Sequence, residues 1–264
     1  MSAPRYTRAI VRAPSANFSQ GLTSASEGAP DLDRARAQHE AYCRALSECG
    51  LELTRIEGNP AHPDDTFVED TAVLATRGAV VTRPGAPSRR GEIESVALAL
   101  RAHYPALLAI EPPGTVDGGD VCEAEDHFLI GMSARTNEAG ARQLASHLET
   151  LGYGASIVDI RPLPKLLHLK TGIAYLGDGI WLIAEDVFDI ARSWRGLDMR
   201  TPIAVPREEA YAANCVRVNE AVLLARGYPR VARALLDAGL PTVTLDMSEF
   251  RKMDGGLSCL SLRF

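Results

Sequence analysis

The chain has 264 residues, 46% hydrophobic and 23% charged, which is the composition of a folded globular protein and not of a disordered one. Its 28 basic and 34 acidic residues give a formal charge of −6 without any basic run, which excludes a nucleic-acid surface. The longest apolar stretches, such as Ile173–Ile183, are cut by Gly and Asp well short of a bilayer span, and residues 1–14 lack the apolar core of a signal peptide, so a soluble cytoplasmic protein is expected.

In chain order the sequence repeats one phrase of strand, helix and strand. It opens with a strand at Arg8–Val11 and a helix through residues 32–50, with Ala35, His39, Tyr42, Leu46 and Cys49 on one face. Gly50 ends that helix, and the strand Leu51–Ile56 follows. The second unit predicts strands at Thr71–Ala75 and Ala79–Thr82, a helix over Glu92–His103 stopped by Pro105, and a strand at Leu107–Ile110. The third runs from Phe128–Ile130 through a helix over Asn137–Leu151, ended by Gly152, to Ile157-Val158. The fourth is weaker: Ile173–Leu176, Ile180–Ala184, a helix over Val187–Trp194 and Ile203–Val205. The fifth has Cys215–Val218, Ala221–Leu224, a helix over Pro229–Ala238 and the strand Thr242–Leu245. A doubly wound α/β sheet is the alternative, but the order of elements recurs and no GxGxxG opens the first helix. Five repeated units in a single domain, residues 1–264, is the reading.

Between units the sequence changes character. The handover segments are Pro63–Asp70, Pro113–Asp120, Leu166–Gly172, Glu208–Asn214 and Met253–Cys259. Pseudo-symmetry would bring all five to one end of the axis, so that acids, a histidine and a cysteine share a pocket. The five cysteines (43, 49, 122, 215 and 259) form no CxxC pair and their number is odd, which points to reduced thiols and not to a disulfide framework or zinc knuckle. Four of them fit buried helix or strand positions. Cys259 lies in an Asp-Gly-Gly-Leu-Ser-Cys turn of the kind that can present a nucleophile. His168 sits at a unit boundary where it could carry protons, while the other five histidines fit helix faces or loops. Asp64, Asp65, Glu69 and Asp70 crowd around Phe67-Val68, and Asp117 and Asp120 flank two glycines. Neither DxDxDG nor HExxH is present, and a planar guanidinium would account for these carboxylates without a metal.

Seven blocks together carry a resemblance. FVEDTAV (67–73), TRPGAPSRR (82–90), TVDGGD (115–120), SARTNEAGARQL (133–144), LHLKTGIAYL (167–176), YAANCVRVNE (211–220) and MDGGLSC (253–259) resemble the dimethylarginine dimethylaminohydrolase family. The resemblance implies the guanidine-modifying (pentein) fold, a five-bladed α/β propeller of ββαβ units. It also implies hydrolysis of methylated arginine to citrulline and a methylamine, without cofactor or metal. Carried over, Cys259 matches the nucleophile, His168 the general acid/base, and Asp117 an acid that holds the guanidinium and is Glu in some relatives. Asp64, Glu69 and Asp70 match substrate-contacting acids, and Arg89 and Arg135 a clamp on the α-carboxylate. The backbones of Leu22 and Met253 match the amino-acid end of the pocket, and residues 20–24 resemble a mobile lid.

A deiminase of arginine or another guanidine-modifying enzyme is the nearest rival, although the chain lacks the extra length usual in those of free arginine. A silent arginine-binding protein and a generic cysteine hydrolase or peptidase are further alternatives. The partner implied is a small guanidine and neither nucleic acid nor membrane, with the protein itself a monomer or homodimer.

Overall fold

The computed structural model describes residues 5–163, 165–191, 194 and 200–264. In the first unit the strand β1 (Arg8–Arg12) is followed by a helix at Leu32–Glu48 and by β2 (Glu52–Ile56), which lies parallel to β1. The Asp31 side chain caps that helix by accepting from the Arg34 backbone N–H, and Gly50, with φ +93°, turns the chain out of it.

Each later unit begins with an antiparallel hairpin and then crosses through a helix to a parallel third strand. The second unit is β3 (Ala72–Ala75), β4 (Gly78–Val81), the helix Ile93–Leu100 and β5 (Leu107–Ala109). The third is β6 (Val121–Ala124), β7 (His127–Met132), the helix Glu138–Thr150 and β8 (Gly154–Asp159). The fourth is β9 (Ile173–Tyr175), β10 (Ile180–Ala184), the helix Glu185–Ala191 and β11 (Thr201–Val205). The fifth is β12 (Val216–Val218), β13 (Ala221–Ala225), the helix Pro229–Asp237 and β14 (Thr242–Leu245). Finally β15 (Leu262–Arg263) returns antiparallel to β1 and supplies the hairpin partner the first unit lacks.

The result is five three-stranded sheets in a five-bladed α/β propeller of ββαβ units, as the sequence predicts. The central strand of every blade is apolar on both faces, which is why these runs do not alternate in sequence: Ile10, Val80, Leu129, Leu182 and Leu223 are each at most 1% exposed. Two strands lie outside the predicted set. β6 carries Glu123 and precedes an Asp-containing turn, so its apolar signal is short, and β15 is only two residues long. The helix predicted over Val187–Trp194 begins two residues earlier, and residues 192 and 193 lie outside the described residues, as do residues 1–4 of the N-terminal segment.

Candidate active site

The five handover segments enter their blades in the same way, each through a short helical turn just before a first strand. Val68–Thr71 leads into β3, Gly118–Asp120 into β6, Leu169–Gly172 into β9, Arg207–Ala213 into β12 and Ser258–Leu260 into β15. Fivefold repetition of this entry is what brings Asp70, Asp117, His168, Asn214 and Cys259 together. Leu22, Asp64, Phe67, Asp70, Arg89, Arg135, Leu167, His168, Met253 and Cys259 line one cavity.

The paired glycines at 118–119 and 255–256 are required by close approach. A Cβ on Gly118 would overlap the Glu69 carbonyl oxygen, and one on Gly119 would lie 2.8 Å from Nδ1 of His168. A Cβ on Gly255 would run into the Phe67 ring, and one on Gly256 into the Asn214 amide. Real Cβ contacts do not occur at such separations, so these turns seat the functional side chains only because they carry none.

Asp117 is fully buried, with one oxygen 3.1 Å from Nε2 of His168 and the other accepting the Gly85 N–H at 2.8 Å. Asp117 is not among the residues lining this cavity, and its contact there is with the imidazole. Asp120 anchors the same region. It accepts from the hydroxyls of Ser133 and Thr136 at 2.6 and 2.7 Å and from the Leu169 N–H at 3.0 Å. Burial works against a charged His168, but Asp70, Asp120 and Asp117 outweigh it and lift the imidazole to about 9. His168 is therefore an imidazolium at neutral pH.

Asp70 lies across the cavity. One oxygen accepts the Gly119 N–H at 2.8 Å and the other the Arg89 Nη1 at 2.6 Å. Burial alone would raise this carboxyl, yet the His168 and Arg89 charges hold it down at about 2. Arg89 is 5% exposed and heavily engaged, with Glu92 on Nε and Nη2 and the Phe67 carbonyl also on Nη2. Glu92 is pushed up to about 7 by burial, against the lowering effect of Arg89.

The Glu69 carboxylate meets Nζ of Lys170 at 2.7 Å and the Ser258 hydroxyl at 2.8 Å, and it lines a neighbouring cavity. The Cys259 thiol is raised to about 12 by burial and by Glu69 and Asp70. At rest it is a neutral thiol beside an imidazolium.

At the other end of the cavity, both Asp64 oxygens accept the Leu22 N–H, at 2.9 and 3.2 Å. Arg135 is half-buried, and its guanidinium makes no hydrogen bond or ion pair with the described residues. Among the described residues its donors are unspent. The segment after Gly21 is strapped over the site: the Ser24 N–H and hydroxyl both donate to Asp254, the Thr23 hydroxyl donates to the Lys252 carbonyl, and Arg251 pairs with Glu27.

Asp70, Asp117 and His168 are close enough together to hold a metal ion, the one such group among the described residues. Each carboxylate oxygen already accepts a backbone N–H, a guanidinium or the imidazole, so the donor set fits a proton network better than a cation. Glu92 and Asn214 lie beside these residues and were not singled out in the sequence, whereas Asp120 was. The i, i+3 spacing of Arg89 and Glu92 on one helical turn was the available signal for the first.

No protein-family model matches the chain. The N(G),N(G)-dimethylarginine dimethylaminohydrolase of Pseudomonas aeruginosa is 44% identical over 260 residues, covering 98% of this chain and all of the relative. The enzyme of that name from Streptomyces coelicolor is 35% identical over 258 residues, 97% of this chain and 96% of its own length. A crystal structure of a cysteine-to-serine variant of the P. aeruginosa protein complexed with citrulline superposes with a TM-score of 0.93, covering 99% of this chain and 100% of that one.

Proposed function

The chain belongs to the dimethylarginine dimethylaminohydrolase family, and from that premise we infer that it hydrolyses N(omega),N(omega)-dimethyl-L-arginine, and its monomethyl analogue, to L-citrulline and dimethylamine or methylamine. The observation that carries the reading is the convergence of Cys259, protonated His168, Asp70 and Arg135, unpaired among the described residues, on one cavity.

Substrate enters with its α-carboxylate toward Arg135 and Arg89, which suits the guanidinium fork. Its α-amino group lies toward Asp64 and the backbones of Leu22 and Met253. Asp70 faces the guanidinium, while Asp117 acts through His168. Because the resting thiol sits high, the arriving cation supplies the charge that lowers it, and Cys259 releases its proton to solvent as substrate binds. The thiolate adds to the central guanidinium carbon. His168 gives its proton to the departing dimethylamine, leaving a thiouronium on Cys259. The now neutral imidazole takes a proton from an attacking water, and collapse of that adduct releases citrulline and restores the sulfur. Water, substrate and two products balance without cofactor or metal.

The same reading makes residues 1–264 one catalytic domain, in a cytoplasmic protein that is a monomer or homodimer. No helix of the described residues is long and apolar enough to cross a membrane. The test is turnover of asymmetric dimethylarginine by the purified protein, with arginine and agmatine as controls. Equal amounts of citrulline and dimethylamine, abolished in Cys259→Ser, support it. Ammonia from arginine with no dimethylamine would move the protein to the deiminases.

A further inference from the structure

Asn214 lies at the end of the helical turn that enters the fifth unit, and no step above uses it. It is 7% exposed, and its amide has a defined orientation. Oδ1 accepts the Ser258 backbone N–H at 2.9 Å, and a backbone N–H can only donate, so the nitrogen must be on the opposite side. Nδ2 there has two hydrogens. It lies 3.3 Å from the Lys170 carbonyl and 4.0 Å from Sγ of Cys259. The chain makes room for this amide at Gly256, where any side chain would overlap it.

We propose that Asn214 is a catalytic hydrogen-bond donor to the Cys259 sulfur, stabilising the thiolate and the sulfur of the thiouronium stage. A neutral thiol accepts weakly, which suits the long resting distance; a thiolate accepts strongly, and the contact shortens as charge develops. The donor is useful because the charges facing the sulfur oppose one another: Glu69 and Asp70 disfavour the thiolate, while Lys170 favours it. An amide aimed at the sulfur adds stabilisation without adding a charge that would repel a cationic substrate. This deepens the proposed mechanism and rests on Cys259 being its nucleophile.

Asn214→Asp tests it. The variant is isosteric and keeps an oxygen for the Ser258 N–H, but it presents an acceptor to the sulfur; Asn214→Ala is the companion. The probe is neutral iodoacetamide, whose rate against pH reports the thiolate, with loss of the thiol of Cys259 followed by peptide mass. The expected result is an alkylation profile displaced upward by about one pH unit in Ala and further in Asp, hence roughly tenfold slower modification on the rising limb. The kcat should fall about tenfold or more while KM stays within about twofold. A profile coincident with wild type in the Asp variant, or a loss confined to KM, overturns the proposal, and Asp decides the matter if Ala does not fold. The alkylation readout requires no turnover, so it stands even if the protein proves inactive on dimethylarginine, an outcome that would strike the functional reading alone.

Discussion

Replacing Asp117 by Asn removes the anion 3.1 Å from His168 while keeping its shape and its Gly85 contact. The imidazole is lifted from 6.5 to about 9, a displacement worth about 3 kcal/mol at 1.36 kcal/mol per pH unit. Asp70 and Asp120 act on the ring by charge alone, whereas Asp117 acts by both charge and a hydrogen bond. Its loss should therefore lower the midpoint by on the order of one unit, toward 8. Histidine-labelled protein in a Cys259→Ser background, titrated by NMR, reads this directly, and His168→Gln identifies the resonance among the six histidines. Stability provides the companion measurement. Because the folded value is raised, the stability contributed by protonating His168 is complete below pH 6.5 and is lost as pH rises through about 9. The advantage of Cys259→Ser over the His168→Gln double variant should shrink across that window. A wild-type ring titrating near 6.5, or an Asp117→Asn protein with an unmoved midpoint, would refute the assignment of His168 as an imidazolium held by buried acids.

Other substitutions separate chemistry from scaffolding. Cys259→Ser and His168→Ala should each cut turnover of dimethylarginine by about a thousandfold or more with unchanged circular dichroism; wild-type rates in either folded variant would remove that residue from the mechanism. Arg135→Ala should raise KM about 30-fold for amino-acid substrates, corresponding to roughly 2 kcal/mol for a charged hydrogen bond, and leave agmatine-like analogues unaffected. Equal effects on both would dismiss the carboxylate clamp. Arg89→Ala leaves Asp70 and Glu92 buried without their shared cation and should cost about 3–5 kcal/mol, read as a drop in Tm of about 10 °C. Gly119→Ala should lower kcat by displacing the His168 ring while Tm changes little, whereas Gly118→Ala, directed at a carbonyl, should destabilise the fold.

The five blades were legible because each central strand is an uninterrupted apolar run and each helix carries its own stop, as Gly50 and Gly152 illustrate. The same logic fails for β15, whose two residues acquire meaning only through pairing with β1, and for β6, whose partly buried Glu123 breaks the pattern. Within the site, residue type and placement at unit boundaries singled out Cys259 and His168, which line one cavity. Direction was not foretold. Asp117 and Glu69 occupy acid-rich segments like Asp70, yet one turns behind the imidazole and the other toward Lys170. One residue of register on a helical turn decides which way a carboxylate points, and no local pattern encodes it. Asn214 was hidden for another reason: a neutral amide carries no charge signature, and its value lies in two backbone partners far away in sequence.

The pairing of Ala9 with Arg263 bears on how this protein matures. Its partners stand about 250 residues apart in sequence, so closing the ring is a late and entropically costly event during synthesis. Cys259 occupies the turn immediately before that closing strand. A nascent chain emerging from the ribosome can build four blades yet has no assembled nucleophile until the ring is sewn shut. Until residues 262 and 263 pair with β1, the first blade lacks its third strand and the turn that holds Cys259 has nothing to end on.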